Sequence, residues 1–143
     1  VAITTSADYK YLHKLDSLSQ NSHYVEPDKY LAENDNVLFG KFKRELSDVM
    51  MRYVGIVRDE ESLIKGQNEV RQLEASYKNV FSGWLKQKTM NLIIVADLIF
   101  RSAIYRKESR GAHLRSDYPA NSNDYLFHTI IEKDRIYEKP VDR

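Results

Sequence analysis

Apolar positions recur at alternating intervals of three and four residues through the middle of this chain. Such spacing lines one face of an α-helix, because about 3.6 residues complete each turn. One stripe occupies residues 42–56, and a second stripe occupies residues 63–84. They predict two amphipathic helices, whose stripes consist of Phe42, Leu46, Val49, Tyr53 and Ile56 in the first and Leu63, Gly66, Val70, Leu73, Tyr77, Val80 and Trp84 in the second.

Residues around the stripes predict where these helices begin and end. Asp35 or Asn36 is the expected N-cap of the first helix, and Gly55 is expected to end it. Asp59 is the expected N-cap of the second helix, and the two glutamates that follow complement the helix dipole. This placement explains the three carboxylates without an acid–base role. Because Gly66 lies on the contact stripe, we expect a neighbouring backbone to approach it closely.

A third helix is predicted over residues 86–109, after the Ser82-Gly83 pair that is expected to end the second helix. It is apolar on nearly all sides, apart from a thin polar strip where Asp97 and Arg101 are expected to pair. Two other helices of this length leave part of such a helix bare, so we expect a further surface to cover it. The predicted core includes Leu73, Tyr77, Ile94 and Leu98.

The expected fold class is therefore all-α, an antiparallel three-helix up-down-up bundle over residues 36–110 with irregular segments at both ends. Residues 1–35 show no sustained period and are interpreted as an irregular lead-in. Gly111 is expected to stop the third helix in a left-handed conformation. Residues 111–143 are expected to form an irregular tail with a short turn around residues 125–131. The first residue is valine rather than methionine, which predicts either a fragment of a larger protein or a processed product.

Composition argues against several kinds of function. The chain has 143 residues, with 22 Lys+Arg against 21 Asp+Glu and a net charge of +1, so no nucleic-acid partner is expected. It has no cysteine and four scattered histidines, and His13 and His128 are interpreted as structural or surface residues, so no metal site is expected. Its five glycines form no phosphate-binding loop. The most apolar run, residues 92–100, is too short to span a membrane.

Residues 101–115 carry five lysines and arginines against one glutamate. One interpretation is that this basic cluster complements the dipole at the end of the third helix. The other is that Arg110, His113 and Arg115 make specific hydrogen bonds to another surface, which the planar guanidinium favours. Both interpretations remain open at this point, and Ser109 is assigned no catalytic role.

Residues 108–119 read ESRGAHLRSDYP, which closely resembles the ESRGAHxRxDYP signature of the succinate dehydrogenase, fumarate reductase and L-aspartate oxidase flavoproteins. Two further segments, YVGIVR at residues 53–58 and the helix at residues 91–106, are similar to segments of the same family. The resemblance covers about residues 42–131, which correspond to the C-terminal helical domain. Within the family, the YVGIVR segment and the short tail after Pro119 resemble the L-aspartate oxidases more than the other members.

The resemblance implies a parent enzyme that binds FAD and oxidises L-aspartate to iminoaspartate, for quinolinate and NAD synthesis in the cytoplasm. It implies that the flavin and the catalytic residues lie upstream, so this chain alone is expected to bind no cofactor and to be inactive. Its implied partner is the FAD-binding domain of the same polypeptide. The alternatives are the C-terminal domain of a succinate dehydrogenase or fumarate reductase flavoprotein subunit, and a stand-alone helical interaction module.

The signature is expected to act as a structural clasp at the end of the third helix. Arginine side chains can donate to the last carbonyls of a helix, which have no partner within it. Asp117 is expected to hold one arginine in place and to leave the others for the neighbouring domain. No catalytic, cofactor-binding or metal-binding residue is predicted. The candidate structural and interdomain residues are Arg106, Glu108, Ser109, Arg110, Gly111, His113, Arg115, Asp117 and Tyr118.

Overall fold

Three helices form the bundle in a computed structural model that describes residues 33–133 and 135–141. Short connections join them, so that each helix runs antiparallel to the next. The predicted lead-in lies outside the described residues up to residue 32. The elements in chain order are α1 (Glu33–Val54), β1 (Val57–Arg58), α2 (Glu60–Tyr77), α3 (Gly83–Tyr105), β2 (Leu114–Arg115), a 3₁₀ turn (Asn123–Tyr125), β3 (Phe127–Glu132) and β4 (Arg135–Pro140).

The connection between α1 and α2 follows the sequence-based prediction. At Gly55, just after α1 ends, a Cβ atom would lie 2.6 Å from the Met51 carbonyl oxygen, so only glycine fits there. Asp59 caps α2, and its carboxylate accepts a hydrogen bond of 2.9 Å from the backbone N–H of Ser62. The predicted cap of α1 is wrong, because the helix already includes Glu33 and runs through Asp35 and Asn36.

The predicted end of α2 is also wrong. The helix stops at Tyr77, and Ser82 is instead the N-cap residue of α3. Val80 and Trp84 are consequently exposed, because one lies in the connection and the other on the next helix. Ile56 is 82% exposed for the same reason, since α1 ends two residues before it.

Aromatic rings and aliphatic side chains of all three helices fill the core. Phe42 packs edge-on against Tyr77, and their ring centroids are 5.1 Å apart. Tyr77 is buried as predicted, Leu73 and Leu98 are half-buried, and Ile94 is 52% exposed, so its assignment to the core is wrong. The buried apolar residues of the three helices are Phe39, Phe42, Leu46, Val49, Tyr53, Leu63, Val70, Tyr77, Leu85, Ile93, Ala96, Phe100 and Ala103.

The helices approach each other closely at Gly66, as its place on the stripe predicts. A Cβ atom there would lie 2.6 Å from the Phe100 ring and 2.6 Å from the Cβ of Tyr53. The absence of a side chain at Gly66 therefore lets α1 and α3 pack directly against α2.

One side of α3 is exposed within the described residues, which agrees with the expectation of a bare face. Asp97 and Arg101 form the predicted pair at 4.0 Å, and Gln67 donates to Asp97 at 2.8 Å. None of the helices within the residues that the structure describes is both long and apolar enough to cross a membrane. We call the exposed apolar residues of this side the docking surface, and they are Leu92, Ile94, Val95 and Ile99.

The C-terminal tail is more regular than predicted. β3 and β4 form an antiparallel hairpin, with Glu132 opposite Arg135 at the turn and Phe127 opposite Pro140 at the open end. Pro140 is tolerated because it is the last residue of its strand. The sequence pattern did not reveal the hairpin, which also depends on contacts from α3, including a 3.1 Å hydrogen bond from Arg101 to the Lys133 carbonyl.

Gly111 has the predicted left-handed conformation, with a φ of +59°. Its predicted role as a helix stop is wrong, because α3 ends at Tyr105. Gly111 lies instead in a tight turn in which Arg110 and His113 exchange backbone hydrogen bonds of 2.9 and 3.0 Å.

Candidate functional site

The end of α3 is closed by a side chain that comes from β2. Arg115 is fully buried, and its Nη1 donates to the carbonyl of Ala103 at 2.9 Å. His113 Nε2 lies 3.0 Å from the carbonyl of Arg106, the residue that follows the helix. These contacts satisfy carbonyl groups that have no partner within the helix. The arginine and the histidine of the signature therefore bind the end of the helix that precedes them.

Asp117 connects this helix end to the start of α2. Its carboxylate accepts two hydrogen bonds from Arg115, of 2.7 and 2.6 Å, and a third of 2.9 Å from the backbone N–H of Glu60. The Arg115 guanidinium is the main reason that the pKa of Asp117 falls to about 2. The predicted Asp117–arginine contact is therefore present, and it ties two helix ends together.

Glu108 is the second carboxylate of the site and, unlike Asp117, is fully shielded from solvent. Arg110 binds it with two hydrogen bonds of 3.0 Å, Arg106 donates to the same group, and the backbone N–H of Ser122 donates at 2.9 Å. Burial on its own raises the pKa of Glu108, but these donors outweigh burial and lower the pKa to about 2. The carboxylate is therefore charged and neutralised from within the chain.

The arginines that bind Glu108 also hold the tail. Arg106 donates to the carbonyls of Tyr125 at 2.9 Å and Phe127 at 2.8 Å. Arg110 donates to the carbonyl of Ser122 at 3.0 Å. The start of the hairpin is thereby bound to the end of α3, and these two arginines are engaged within the chain rather than free for another domain.

Ser109 and Tyr118 complete this region. The Ser109 hydroxyl accepts from the backbone N–H of Arg115 at 2.8 Å and donates to the carbonyl of Tyr118 at 2.8 Å. The Arg115 guanidinium stacks over the Tyr118 ring, 5.0 Å from its centroid. Ser109 therefore joins two backbone groups of this region. We use the name clasp for residues 106–118.

Arg58 belongs to the site as well, although the sequence analysis did not single it out. Its Nη1 lies 2.8 Å from His113 Nδ1, and it is separated from that histidine by 55 positions. A guanidinium can only donate, so Nδ1 is the acceptor and Nε2 carries the proton that reaches the Arg106 carbonyl. His113 is therefore neutral in this arrangement. The available signal was the position of Arg58 at the end of the YVGIVR segment.

Acid is expected to destabilise the chain through His113. Burial, with the nearby Arg58, Arg115 and Arg106 charges, lowers the pKa of His113 from its ordinary value of 6.5 despite the hydrogen bond to the Arg106 carbonyl. The unfolded chain therefore takes up this proton at higher pH than the folded chain. Stability is expected to be full above pH 6.5 and to fall as the pH is lowered below it.

Urea unfolding at about pH 7.5 and about pH 5 would measure this effect, because the clasp carboxylates titrate at lower pH. His113→Asn keeps an acceptor for Arg58 but cannot titrate, so its stability is expected to change less between the two conditions. His128→Gln is the control, since the His128 side chain is exposed and makes no hydrogen bond to the described residues. An equal loss in His113→Asn and the parent chain would contradict the assignment.

Within residues 33–133 and 135–141, no three His, Asp or Glu side chains are grouped so as to hold a metal ion. The clasp carboxylates are paired with arginines, and the arginines of the clasp donate to carboxylates and carbonyls of the same chain. The arrangement is suited to joining the ends of two helices and the hairpin.

A three-helix bundle, a hairpin and an ESRGAH clasp at the end of α3 define the class as a C-terminal helical domain of a flavoprotein. Residues 43–142 match the family model described as fumarate reductase flavoprotein C-term. The chain therefore belongs to this family of FAD-dependent flavoproteins. In its relatives the corresponding domain is part of a longer polypeptide.

Individual relatives agree with this assignment. An uncharacterized FAD-dependent oxidoreductase of Methanocaldococcus jannaschii is 33% identical over 105 residues, which cover 68% of this chain and 19% of the relative. L-aspartate oxidase of Synechocystis is 30% identical over 130 residues, which cover 75% of this chain and 24% of the relative. The chain thus spans less than a quarter of either relative.

A solved structure shows the same fold. In the structure of E. coli quinol fumarate reductase, the FrdA chain superposes with a TM-score of 0.57 at 26% sequence identity. The superposition covers 72% of this chain and 21% of the FrdA chain.

Proposed function

We propose that this chain is the C-terminal helical domain of an L-aspartate oxidase, where it has a structural role. In that enzyme FAD is bound upstream, L-aspartate is oxidised to iminoaspartate, and the product enters quinolinate and NAD synthesis in the cytoplasm. The clasp locks the hairpin onto the bundle, and the docking surface packs against the FAD-binding domain of the same polypeptide. The observation that carries this role is the exposed apolar side of α3.

The docking surface is unusual for a surface helix. Val95 is 54% exposed and Ile94 is 52% exposed, on a helix whose opposite side already packs against the bundle. Burying apolar side chains stabilises an interface by about 25 cal/mol for each Å² removed from water. A contiguous apolar patch of this kind is typical of an interaction site. The FAD-binding domain is the expected partner of this surface, because it precedes this domain in the relatives.

The clasp supports a structural role rather than a catalytic one. Glu108 and Asp117 are each held by arginines, and the pKa of each is about 2. A carboxylate with so low a pKa is a poor general base at neutral pH. The arginines that hold them are engaged with carbonyls of the same chain, so they are not available to grip a substrate carboxylate.

The choice of L-aspartate oxidase is supported by the YVGIVR segment and by the L-aspartate oxidase among the relatives. The test is anaerobic reduction of the flavin in the full-length protein, followed by its absorbance. L-aspartate is expected to bleach the flavin, and succinate is expected not to do so. Bleaching by succinate alone would replace this proposal by the succinate dehydrogenase or fumarate reductase alternative.

Introducing a charge into the docking surface is expected to weaken FAD retention in the full-length enzyme. In Val95→Glu a carboxylate would have to lose its hydration where the upstream domain packs, which is unfavourable. The isolated domain should unfold at the same urea concentration as its parent, because Val95 is exposed there. Met51→Glu is the matched control, since Met51 is exposed on α1. Unchanged FAD retention in Val95→Glu would refute the docking role.

A further inference from the structure

Arg58 lies at the rim of an open groove of about 560 Å³ between β1, α3 and β3. Two members of the docking surface, Val95 and Ile99, line the same groove. The groove is therefore continuous with the docking surface and adds a charged end to it. The other apolar lining residues are Leu98, Ala103 and Phe127.

The charge of Arg58 has no counter-ion among the described residues. Its Nε donates to the carbonyls of Val54 at 3.2 Å and Gly55 at 3.1 Å, and its Nη1 donates to His113. All of these acceptors are neutral. By contrast, Arg115 is paired with Asp117 through two short hydrogen bonds.

Arg58 is also partly removed from water. Burial alone lowers the pKa of its guanidinium, because no described carboxylate offsets the loss of hydration. The bonds made by Nε and Nη1 fix the plane of the group, and no described acceptor is bonded to Nη2. A fixed, partly desolvated and unpaired guanidinium is well prepared to bind a carboxylate.

We infer that Arg58 binds an aspartate or glutamate side chain of the upstream FAD-binding domain when that domain covers the groove. This inference rests on the docking role proposed above and names its polar contact. The apolar residues that line the groove exclude water around the pair once the upstream domain covers it, while the Arg58 charge fixes the position of that domain. A protein carboxylate fits better than a small substrate, because the groove is open and continuous with the docking surface, and because Arg58 is bound to the end of α1.

Carbodiimide cross-linking of the full-length flavoprotein tests the contact directly. The reagent condenses an amine with a touching carboxylate to an amide and takes up the released water. In Arg58→Lys, mass spectrometry is expected to find residue 58 linked to an aspartate or glutamate of the upstream domain. Lys107 and Glu60, 3.4 Å apart, provide the internal positive control. Arg71→Lys is the matched negative control, since Arg71 is exposed on α2.

Absence of the link at residue 58, with the Lys107–Glu60 link present, would overturn the inference. If Val95→Glu still releases FAD in that case, only the Arg58 contact is wrong, and if Val95→Glu is harmless too, the docking role itself fails. Arg58→Met tests whether Arg58 binds the substrate instead. A tenfold rise in KM for L-aspartate in the FAD-loaded enzyme would show that Arg58 binds a substrate carboxylate, and this result would also overturn the inference. FAD retention is expected to fall at least tenfold in the same variant.

Discussion

Glu108→Gln is expected to lower the free energy of unfolding by about 3–5 kcal/mol, the cost of removing one partner from a buried ionic cluster. The glutamine would fit the space, but it would leave the positive charges of Arg106 and Arg110 without a counter-ion. Equilibrium unfolding in urea measures the loss. Glu60→Gln is the control, because Glu60 forms a solvated pair with Lys107 at 3.4 Å, and such pairs contribute little.

The low pKa of Glu108 also predicts how the stability of the chain depends on pH. The pKa of Glu108 falls from 4.5 to about 2 on folding, and that of Asp117 from 3.8 to about 2. The unfolded chain therefore binds these protons first, so stability from both groups is present above about pH 5 and is lost as the pH falls towards 2. Glu108→Gln should lose less stability over this range than the parent chain. If Glu108→Gln lowers the free energy of unfolding by less than about 1 kcal/mol at neutral pH, the role given to Glu108 is wrong.

The helices were predictable because their signals are local. The stripes specify which side of α1 and α2 is buried, and Asp59 meets the requirements of an N-cap within three residues. On α3 the same reasoning fails. The helix is apolar on nearly all sides, so its sequence does not distinguish Ile93, which is buried, from Ile94, which is exposed. The choice depends on which side meets α2.

The clasp was predictable as a set of residues but only partly as a set of contacts. The twelve-residue signature identified most of its members, and Asp117 holds an arginine as expected. The sequence left open whether the other arginines act within the chain or on another surface. Their acceptors include the carbonyls of Tyr125, the last residue of the 3₁₀ turn, and of Phe127, the first residue of a hairpin that was not predicted. The contact of Arg58 with His113 was missed because it joins residues distant in sequence.

Gly66→Ala is expected to destabilise the domain by about 1–3 kcal/mol, as other overpacked core substitutions do. Intrinsic helix propensity predicts the opposite, because alanine is favoured over glycine within a helix by about 1 kcal/mol. The new methyl group would lie 2.6 Å from the Phe100 ring and 2.6 Å from the Cβ of Tyr53. A ring can turn aside, but the Cβ of Tyr53 can move only with the backbone of α1.

Gly40→Ala separates the two effects, because it makes the same chemical change inside α1. A Cβ atom there would meet only Arg44 Nη1, at an ordinary contact distance of 3.7 Å. This variant is therefore expected to gain about 0.5–1 kcal/mol from the loss of glycine alone. Urea unfolding of the two variants should give shifts of opposite sign. If Gly66→Ala also raises the free energy of unfolding, the close approach of α1 and α3 at Gly66 does not limit the packing of the bundle.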